Sequence, residues 1–184
     1  VIKYHRLTQT ACSPLAARVL GKLLKYSTLR AALKIIIMEN SEKKYKVLFV
    51  CLGNICRSPA AQAVFEHYVR EAGLQDRIQA DSAGTYGGHA GSLPDRRMRT
   101  AALYRGFAVT HTARRVRAVD FLDFDLVIAM DDQNYEDLMH LAPSVEDSHK
   151  IKRMADYLTT HRISYIPDPY YMGVEGFALV LDLL

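Results

Sequence analysis

Short apolar runs alternate with helical patterns along the chain from residue 46 onwards. The strand-like runs are KVLFVC at 46–51, IQADSAGT at 78–85, FDLVIAM at 124–130 and a fourth within SHKIKRMADYL at 148–158. The helical patterns are SPAAQAVFEHYVREAG at 58–73, PDRRMRTAALYRG at 94–106, DDQNYEDLMHLA at 131–142 and VEGFALVLDLL at 174–184. This alternation predicts an α/β fold, with a four-stranded parallel sheet and helices on both of its faces.

Residues that begin or end helices support these boundaries. Pro59 suits the first turn of its helix, and Gly73 and Gly106 suit helix ends. Asp131 or Asp132 is expected to cap the third helix. Ligands of parallel sheets bind beyond the carboxyl ends of the strands, which is where the first strand ends in a cysteine.

The first 44 residues differ from the rest of the chain. Apolar side chains recur with a helical period in 14–38, and Arg18, Lys22 and Lys25 lie on the opposite face. We therefore expect an extra basic amphipathic helix, then a polar linker, and divide the chain into 1–44 and one domain at 45–184. The role of the extension stays open between a targeting or membrane-surface segment, an accessory helix and an unusual gene start.

Composition and charge exclude several classes of protein. The chain has no low-complexity run, and no apolar stretch is long enough to span a bilayer. Its formal charge of +4 is uneven, because residues 1–38 hold seven basic residues and no acid, which leaves the remainder at −3. A basic balance therefore gives no support for nucleic-acid binding. Three cysteines are too few for a disulfide scaffold, so a reducing, cytoplasmic setting is expected.

The segment CLGNICRS, which joins the first strand to the first helix, carries the candidate chemistry. Backbone N–H groups of such a loop turn inward and form a cradle for an anion. Gly53 and Asn54 tolerate the backbone angles that the turn requires. Arg57 can clamp two phosphate oxygens, and its charge, the helix terminus and Ser58 favour the thiolate form of Cys51. The pattern predicts a thiolate nucleophile aimed at phosphorus.

Other roles for this cysteine are less consistent with the pattern. A buried structural cysteine is the commonest fate of a lone Cys after a strand, but it does not explain the complete C-x5-R-S. A metal site would need a second Cys or His pair at ligand spacing, and the chain has none that completes a tetrahedral set. A Walker loop would need G-K-[ST], which is absent.

The segment VLFVCLGNICRSP resembles the active-site signature of low-molecular-weight protein tyrosine phosphatases. The resemblance continues through DSAGT, FDLVIAMD and PDPYY in the family's order, and covers residues 46–184. It implies a flavodoxin-like, Rossmann-like fold and a metal-independent enzyme without cofactor that hydrolyses phosphotyrosine through a cysteinyl-phosphate. Cys51 would be the nucleophile and Arg57 the phosphate clamp. The phosphate-binding residues would be Leu52, Gly53, Asn54, Ile55, Cys56, Arg57 and Ser58.

The resemblance also implies roles for residues outside the loop. Asp168 matches the family's general acid, which protonates the leaving phenolate and then activates water. The supporting residues are Asn54, Ser58, Ser82 and His111. Taken alone, Asn54, Ser82 and His111 would each more commonly be a capping or core polar group. Tyr170 and Tyr171 resemble one aromatic wall of the substrate pocket, and Tyr86 is a candidate for the facing wall. Cys56 matches a redox partner that shelters the nucleophile in a reversible disulfide.

Three competing functions remain to be weighed. Arsenate reductases of this fold need further downstream cysteines, and none follows Cys56. Protein-arginine phosphatases carry Thr where this chain has Ile55, and they lack the paired tyrosines. A non-catalytic phosphoprotein-binding module would be indicated by loss of Cys51, Arg57 or Asp168, which are all present. Phosphotyrosine hydrolysis is therefore the preferred interpretation.

Expectations about partners follow from this interpretation. The partner is a phosphotyrosine-containing protein, with a tyrosine kinase as one candidate, and neither nucleic acid nor a transmembrane segment is expected. The segment HTARRVRA at 111–118 is basic, so it either attracts acidic peptide flanks or forms a solvated face. The chain stops at VLDLL, inside what the family builds as a longer helix, so we expect a truncated C-terminal helix.

Overall fold

Four parallel strands form the centre of the domain in a computed structural model that describes residues 43–184. The strands are β1 (Tyr45–Cys51), β2 (Ile78–Gly84), β3 (Leu126–Ala129) and β4 (Ile151–Arg153), in the order β2-β1-β3-β4. Every neighbouring pair is parallel. The predicted α/β architecture is confirmed. The amphipathic helix predicted within 14–38 lies outside the described residues.

Within residues 43–184, six α-helices and one 3₁₀ helix connect or follow the strands. They are α1 (Arg57–Glu71), α2 (Arg96–Tyr104), α3 (Asp120–Asp123), α4 (Asp132–Leu141), α5 (Val145–Ser148), a 3₁₀ helix (Met154–Tyr157) and α6 (Val174–Leu183). The four helices predicted from periodicity are α1, α2, α4 and α6. The three remaining helices have four residues each, which is too short for a repeating pattern to mark them in the sequence.

Alternate residues of β1 enter two separate apolar cores. Val47 and Phe49 belong to a core on the face that also contains residues of α1, α2 and α6. Leu48 and Val50 belong to a core on the other face. Successive side chains of a strand point to opposite faces, so a strand covered on both sides is apolar throughout. The apolar run before the CLGNICRS loop is explained by this double burial.

Helix termini agree with the residues that the sequence places there. The Asp131 carboxylate accepts a hydrogen bond from the Asn134 N–H at 2.7 Å, so Asp131 rather than Asp132 caps α4. Gly73 and Gly106, which follow α1 and α2, have φ angles of 67° and 85°. These angles favour glycine because a side chain is strained there.

The carboxyl edge of the sheet collects the ends of three strands. Cys51 pairs with Gly84, the last residue of β2. The Met130 N–H, just after β3, donates to the Val50 carbonyl. Residues that follow β1, β2 and β3 therefore meet at one edge. Among residues 43–184, no helix is long and apolar enough to cross a membrane.

Candidate active site

Asn54 fixes the shape of the loop between β1 and α1. Its φ of 55° lies in the left-handed region, and its side chain is completely buried. Its amide nitrogen donates to the Ser58 hydroxyl at 2.9 Å and to the Ser82 hydroxyl at 3.0 Å. Its oxygen accepts from His111 Nε2 and from the Arg114 N–H, both at 2.9 Å. One side chain thus joins the loop to β2 and to residues 111–114.

The Cys51 thiol lies at the base of this loop. Its Sγ is 3.1 Å from Ser58 Oγ and accepts from the Asn54 N–H at 3.3 Å. Asn54 already donates to the Ser58 hydroxyl, so the hydrogen of Ser58 remains for Cys51 or for the Ala83 carbonyl at 3.2 Å. Donors directed at sulfur stabilise the thiolate over the thiol.

The guanidinium of Arg57 is almost entirely buried beside the loop. Nη1 donates to Asp131 Oδ2 at 2.5 Å and to the Ile166 carbonyl at 3.1 Å. Nη2 donates to Asp168 Oδ2 at 2.7 Å. Burial acts to lower the pKa of Arg57, but the nearby groups Cys51 and Asp168 outweigh it and raise this pKa. The side chain is therefore a permanent, oriented cation.

A cavity of about 260 Å³ opens above Cys51 and Arg57. Its lining is Cys51, Leu52, Gly53, Ile55, Cys56, Arg57, Tyr86, His89, Asp168, Tyr170 and Tyr171. The Tyr170 and Tyr171 rings meet edge to face at 4.9 Å, and Tyr171 is 96% exposed at the mouth. Tyr86 contacts His89, with ring centroids 6.0 Å apart. Thiol, cation, carboxylate and aromatic walls thus share one cavity of a size suited to a phosphorylated ring.

Comparison with known proteins decides the family. A family model described as low molecular weight phosphotyrosine protein phosphatase matches residues 46–184. The chain belongs to this family. The resemblance and the fold predicted from the sequence are both confirmed, and the enzyme is a protein-tyrosine-phosphatase.

Relatives in distant organisms support the same conclusion. A low molecular weight protein-tyrosine-phosphatase of Streptomyces coelicolor is 40% identical over 142 residues, which cover 76% of this chain and 87% of that protein. The human low molecular weight phosphotyrosine protein phosphatase is 38% identical over 135 residues, covering 73% and 85%. A crystal structure of a protein tyrosine phosphatase from Entamoeba histolytica matches with a TM-score of 0.74, 44% identity, and coverage of 76% of this chain and 89% of that chain.

His111 supports the phosphatase loop from outside it. Since the Asn54 oxygen can only accept, Nε2 of His111 carries the hydrogen in their contact. Nδ1 lies 3.6 Å from Asp81, whose charge raises the pKa of His111, but burial is the larger effect and lowers it. Burial therefore disfavours the imidazolium form of His111.

Cys56 is buried in the same loop and is a free thiol, as is Cys51. Burial, and after it the charge of Asp95, raises the pKa of the Cys56 thiol. Burial therefore favours the thiol form of Cys56 at rest.

Gly84, at the end of β2, makes room for the loop. A Cβ atom placed on it would lie 2.6 Å from the Leu52 carbonyl oxygen and 3.0 Å from Asn54 N. Both are backbone atoms that cannot rotate away. The glycine of DSAGT therefore permits the close approach of β2 to the phosphatase loop.

Several residues of the site were not predicted as such from the sequence. Asp131 was expected only as a helix cap, yet it also binds Arg57. Its position two residues after β3 was the available signal, because strand ends meet at one edge. His89 and Arg97 had no such signal. The Arg97 guanidinium pairs with Asp95 at 2.7 Å.

Arg97 also connects helix α2 with the aromatic wall. Its guanidinium carbon lies 5.4 Å from the centre of the Tyr170 ring and 4.7 Å from that of Phe177.

Across residues 43–184, no group of three or more His, Cys, Asp or Glu side chains is arranged to hold a metal ion.

Proposed function

We propose that this phosphatase hydrolyses phosphotyrosine in proteins through a cysteinyl-phosphate formed on Cys51. The observation that carries the proposal is the convergence of Cys51, Arg57 and Asp168 on one cavity with tyrosines at its mouth. The aromatic side chains suit a flat phenyl ring. The buried guanidinium suits the phosphoryl oxygens, which it can bind with two parallel N–H groups.

In the first step, the Cys51 thiolate attacks phosphorus. The sulfur–phosphorus bond forms while the bond from phosphorus to the phenolic oxygen breaks, and protonated Asp168 gives its proton to that oxygen. Arg57 and the backbone N–H groups of the loop stabilise the charge that develops on the phosphoryl oxygens. The products of this step are a free tyrosine side chain, the cysteinyl-phosphate and an Asp168 carboxylate.

In the second step, the Asp168 carboxylate takes a proton from water. The water oxygen attacks phosphorus and the sulfur–phosphorus bond breaks, which releases inorganic phosphate and restores the thiolate and the protonated acid. The Ser58 hydroxyl, 3.1 Å from the sulfur, stabilises the thiolate as it leaves. Asn54 is proposed to shape the loop, and its hydrogen bonds with Ser82 and His111 favour an auxiliary role for these two residues.

The test is turnover of para-nitrophenyl phosphate and of a phosphotyrosine peptide in the presence of a chelator. Wild type and the matched control Cys12→Ser should be active and vanadate-sensitive, whereas Cys51→Ser should be inactive. Rapid acid quenching should detect a phosphorylated enzyme, with more of it in Asp168→Asn. Activity retained by Cys51→Ser would disprove the mechanism. Phosphoarginine or arsenate used in preference to phosphotyrosine would redirect the substrate assignment.

Two further roles belong to this proposal. Cys56 is proposed to form a reversible disulfide with Cys51 under oxidation, which peroxide treatment and reduction of the wild type and of Cys56→Ala would test. A cytoplasmic location is proposed because three cysteines are too few for a disulfide scaffold.

A further inference from the structure

The domain has a second cleft, which is lined in part by Thr85, the residue before Tyr86. Its volume is about 550 Å³. The cleft is lined by Thr85, Arg115, Val116, Arg117, Asp137, His140 and Leu141. Its walls are therefore the chain around residues 115–117 and the second half of α4, with three basic side chains and one acidic side chain.

The backbone of residues 114–116 explains why Arg115 and Arg117 are free to face a ligand. The Gly84 N–H donates to the Arg114 carbonyl and the Val116 N–H donates to the Gly84 carbonyl, both at 2.9 Å. Alternate side chains of such an extended segment point in opposite directions. Val116 is buried, whereas Arg115 and Arg117 are exposed.

The three arginines at 114, 115 and 117 differ in how far acidic side chains of the fold pair with them. Arg114 binds Asp81 at 2.9 Å and Asp120 at 3.0 Å, so it is part of the fold. Arg117 lies 4.0 Å from Asp120 and is 69% exposed. No carboxylate of the described residues lies within 4.0 Å of the Arg115 guanidinium. Arg115 thus presents positive charge without a carboxylate partner among the described residues, and the charge of the exposed Arg117 is paired only by the 4.0 Å contact with Asp120.

The cleft and the catalytic cavity share a short, anchored loop. Thr85 lines the cleft and the next residue, Tyr86, lines the cavity. Their N–H groups donate to the carbonyls of Cys51 and Leu52, both at 2.9 Å, so the loop is tied to the phosphatase loop. A Cβ atom placed on Gly87 would lie 3.1 Å from Arg115 Cδ. The Arg115 side chain therefore packs against the segment that follows Tyr86, a residue of the catalytic cavity.

We propose that the cleft formed by residues 85, 115–117 and 137–141 binds carboxylate side chains close in sequence to the phosphotyrosine of the substrate protein. This inference rests on the proposed function of the catalytic cavity. The cleft selects among substrate proteins by their charge, whereas hydrolysis of the phosphate ester takes place in the catalytic cavity at Cys51. Asp137, which accepts a hydrogen bond from Gln133 at 3.1 Å, opposes the basic groups and limits the preference.

The experiment compares phosphotyrosine peptides with paired Asp residues, moved stepwise along either flank, with peptides that carry Asn at the same places. The enzymes are wild type, the double variant Arg115→Ala/Arg117→Ala, and the matched control Arg70→Ala in the last turn of α1. For the best acidic peptide, the double variant should lower kcat/KM about three- to tenfold, as expected for two exposed ion pairs. The Asn peptide should change less than about twofold.

Removing the acidic side chain of the cleft should change kcat/KM in the opposite direction. Asp137→Asn should raise kcat/KM for the acidic peptide and leave the Asn peptide unchanged. Raising the ionic strength from about 0.05 M to about 1 M should remove the preference of the wild type.

The outcomes separate this inference from the proposed function. Para-nitrophenyl phosphate has no flanking residues, so its turnover should be the same in all these enzymes. Suppose that turnover of para-nitrophenyl phosphate is normal. The proposed role of the cleft alone is then overturned if the wild type does not prefer the acidic peptide, or if the double variant loses equally on the acidic and the Asn peptide. No turnover of para-nitrophenyl phosphate by the wild type overturns the proposed function and the cleft together.

Discussion

Arg57 and Asp168 lie side by side at the carboxyl edge of the sheet although 111 residues separate them in sequence. Nη2 of Arg57 donates to one carboxylate oxygen of Asp168 at 2.7 Å, and the Tyr170 N–H donates to the other at 3.1 Å. Both oxygens therefore have fixed directions. The proposed acid is oriented by the proposed phosphate clamp on one side and by the backbone N–H of Tyr170 on the other.

Asp168→Asn removes the proton donor and keeps the shape of the side chain. We expect kcat to fall about 100-fold or more on phenyl phosphate, whose leaving group needs a proton. The loss should be smaller on para-nitrophenyl phosphate, whose leaving group is more acidic. Steady-state kinetics of the two esters measure this difference, with Asp123→Asn on the exposed side of α3 as the control. Equal losses on the two esters would exclude the role of general acid.

Asp131 has two functions that two substitutions can separate. Asn keeps the cap of α4 but removes the charge that binds Arg57, whereas Ala removes both. Both variants should therefore lose about tenfold or more in kcat/KM, as expected when a charge-assisted hydrogen bond is removed. Both lose the ion pair with the buried Arg57, but Asp131→Ala should be less stable than Asp131→Asn by about 1 kcal/mol in the free energy of unfolding, because only Ala also removes the cap. Kinetics and urea denaturation of both variants test this, and full activity of Asp131→Asn would contradict it.

Asn54 combines a left-handed backbone with four hydrogen bonds. Asn54→Ala leaves buried polar partners unsatisfied and also adds backbone strain, so we expect a loss of about 2–4 kcal/mol in the free energy of unfolding. Asn54→Gly loses the same hydrogen bonds but tolerates the φ angle, so it should be the more stable of the two. Chemical denaturation measures the order, and a more stable Ala variant would refute the account.

His111 makes stability depend on pH in a definite direction. Its pKa in the folded protein lies below the ordinary value of 6.5 because burial disfavours the imidazolium. As pH falls below that value, the unfolded chain binds a proton that the native state does not, so the free energy of unfolding decreases. This contribution is complete above pH 6.5 and is lost as pH falls through the folded pKa.

The variant His111→Gln keeps a donor near Asn54 but does not titrate. Its free energy of unfolding should fall less steeply than that of the wild type between about pH 7 and about pH 5. Asp81 and Glu66 oppose the effect, and Arg114 adds to it. Chemical denaturation of both proteins at several pH values measures this difference. If the free energy of unfolding depends on pH in the same way in both, His111 does not contribute.

Arg97 is expected to position the aromatic wall through its contact with Tyr170. Lysine keeps the charge but cannot stack as a plane, so Arg97→Lys should raise KM for aryl phosphates about threefold and leave kcat nearly unchanged. Arg96→Lys, at the exposed neighbouring position, is the matched control. A fall in kcat without a change in KM would indicate a different role.

Much of the fold was predictable from local patterns. The apolar run of β1 and its helix α1 follow from periodicity and from Pro59 and Gly73, because these signals depend on residues close in sequence. The three four-residue helices were missed because they contain no full period. The residues around Cys51 were predictable because the loop spacing itself specifies the chemistry of an anion cradle.

The sequence by itself determined the strands, the long helices and the spacing of Cys51, Asn54 and Arg57, because these depend on backbone preferences over a few residues. Only the tertiary structure decided the sheet order and the binding of Arg57 by Asp131. It also decided that Arg114 forms ion pairs within the fold whereas Arg115 is exposed. A periodic pattern shows which side of a strand is buried but not which distant chain lies there. Contacts across 74 and 111 residues arise from packing the whole sheet, so they become visible only when it is assembled.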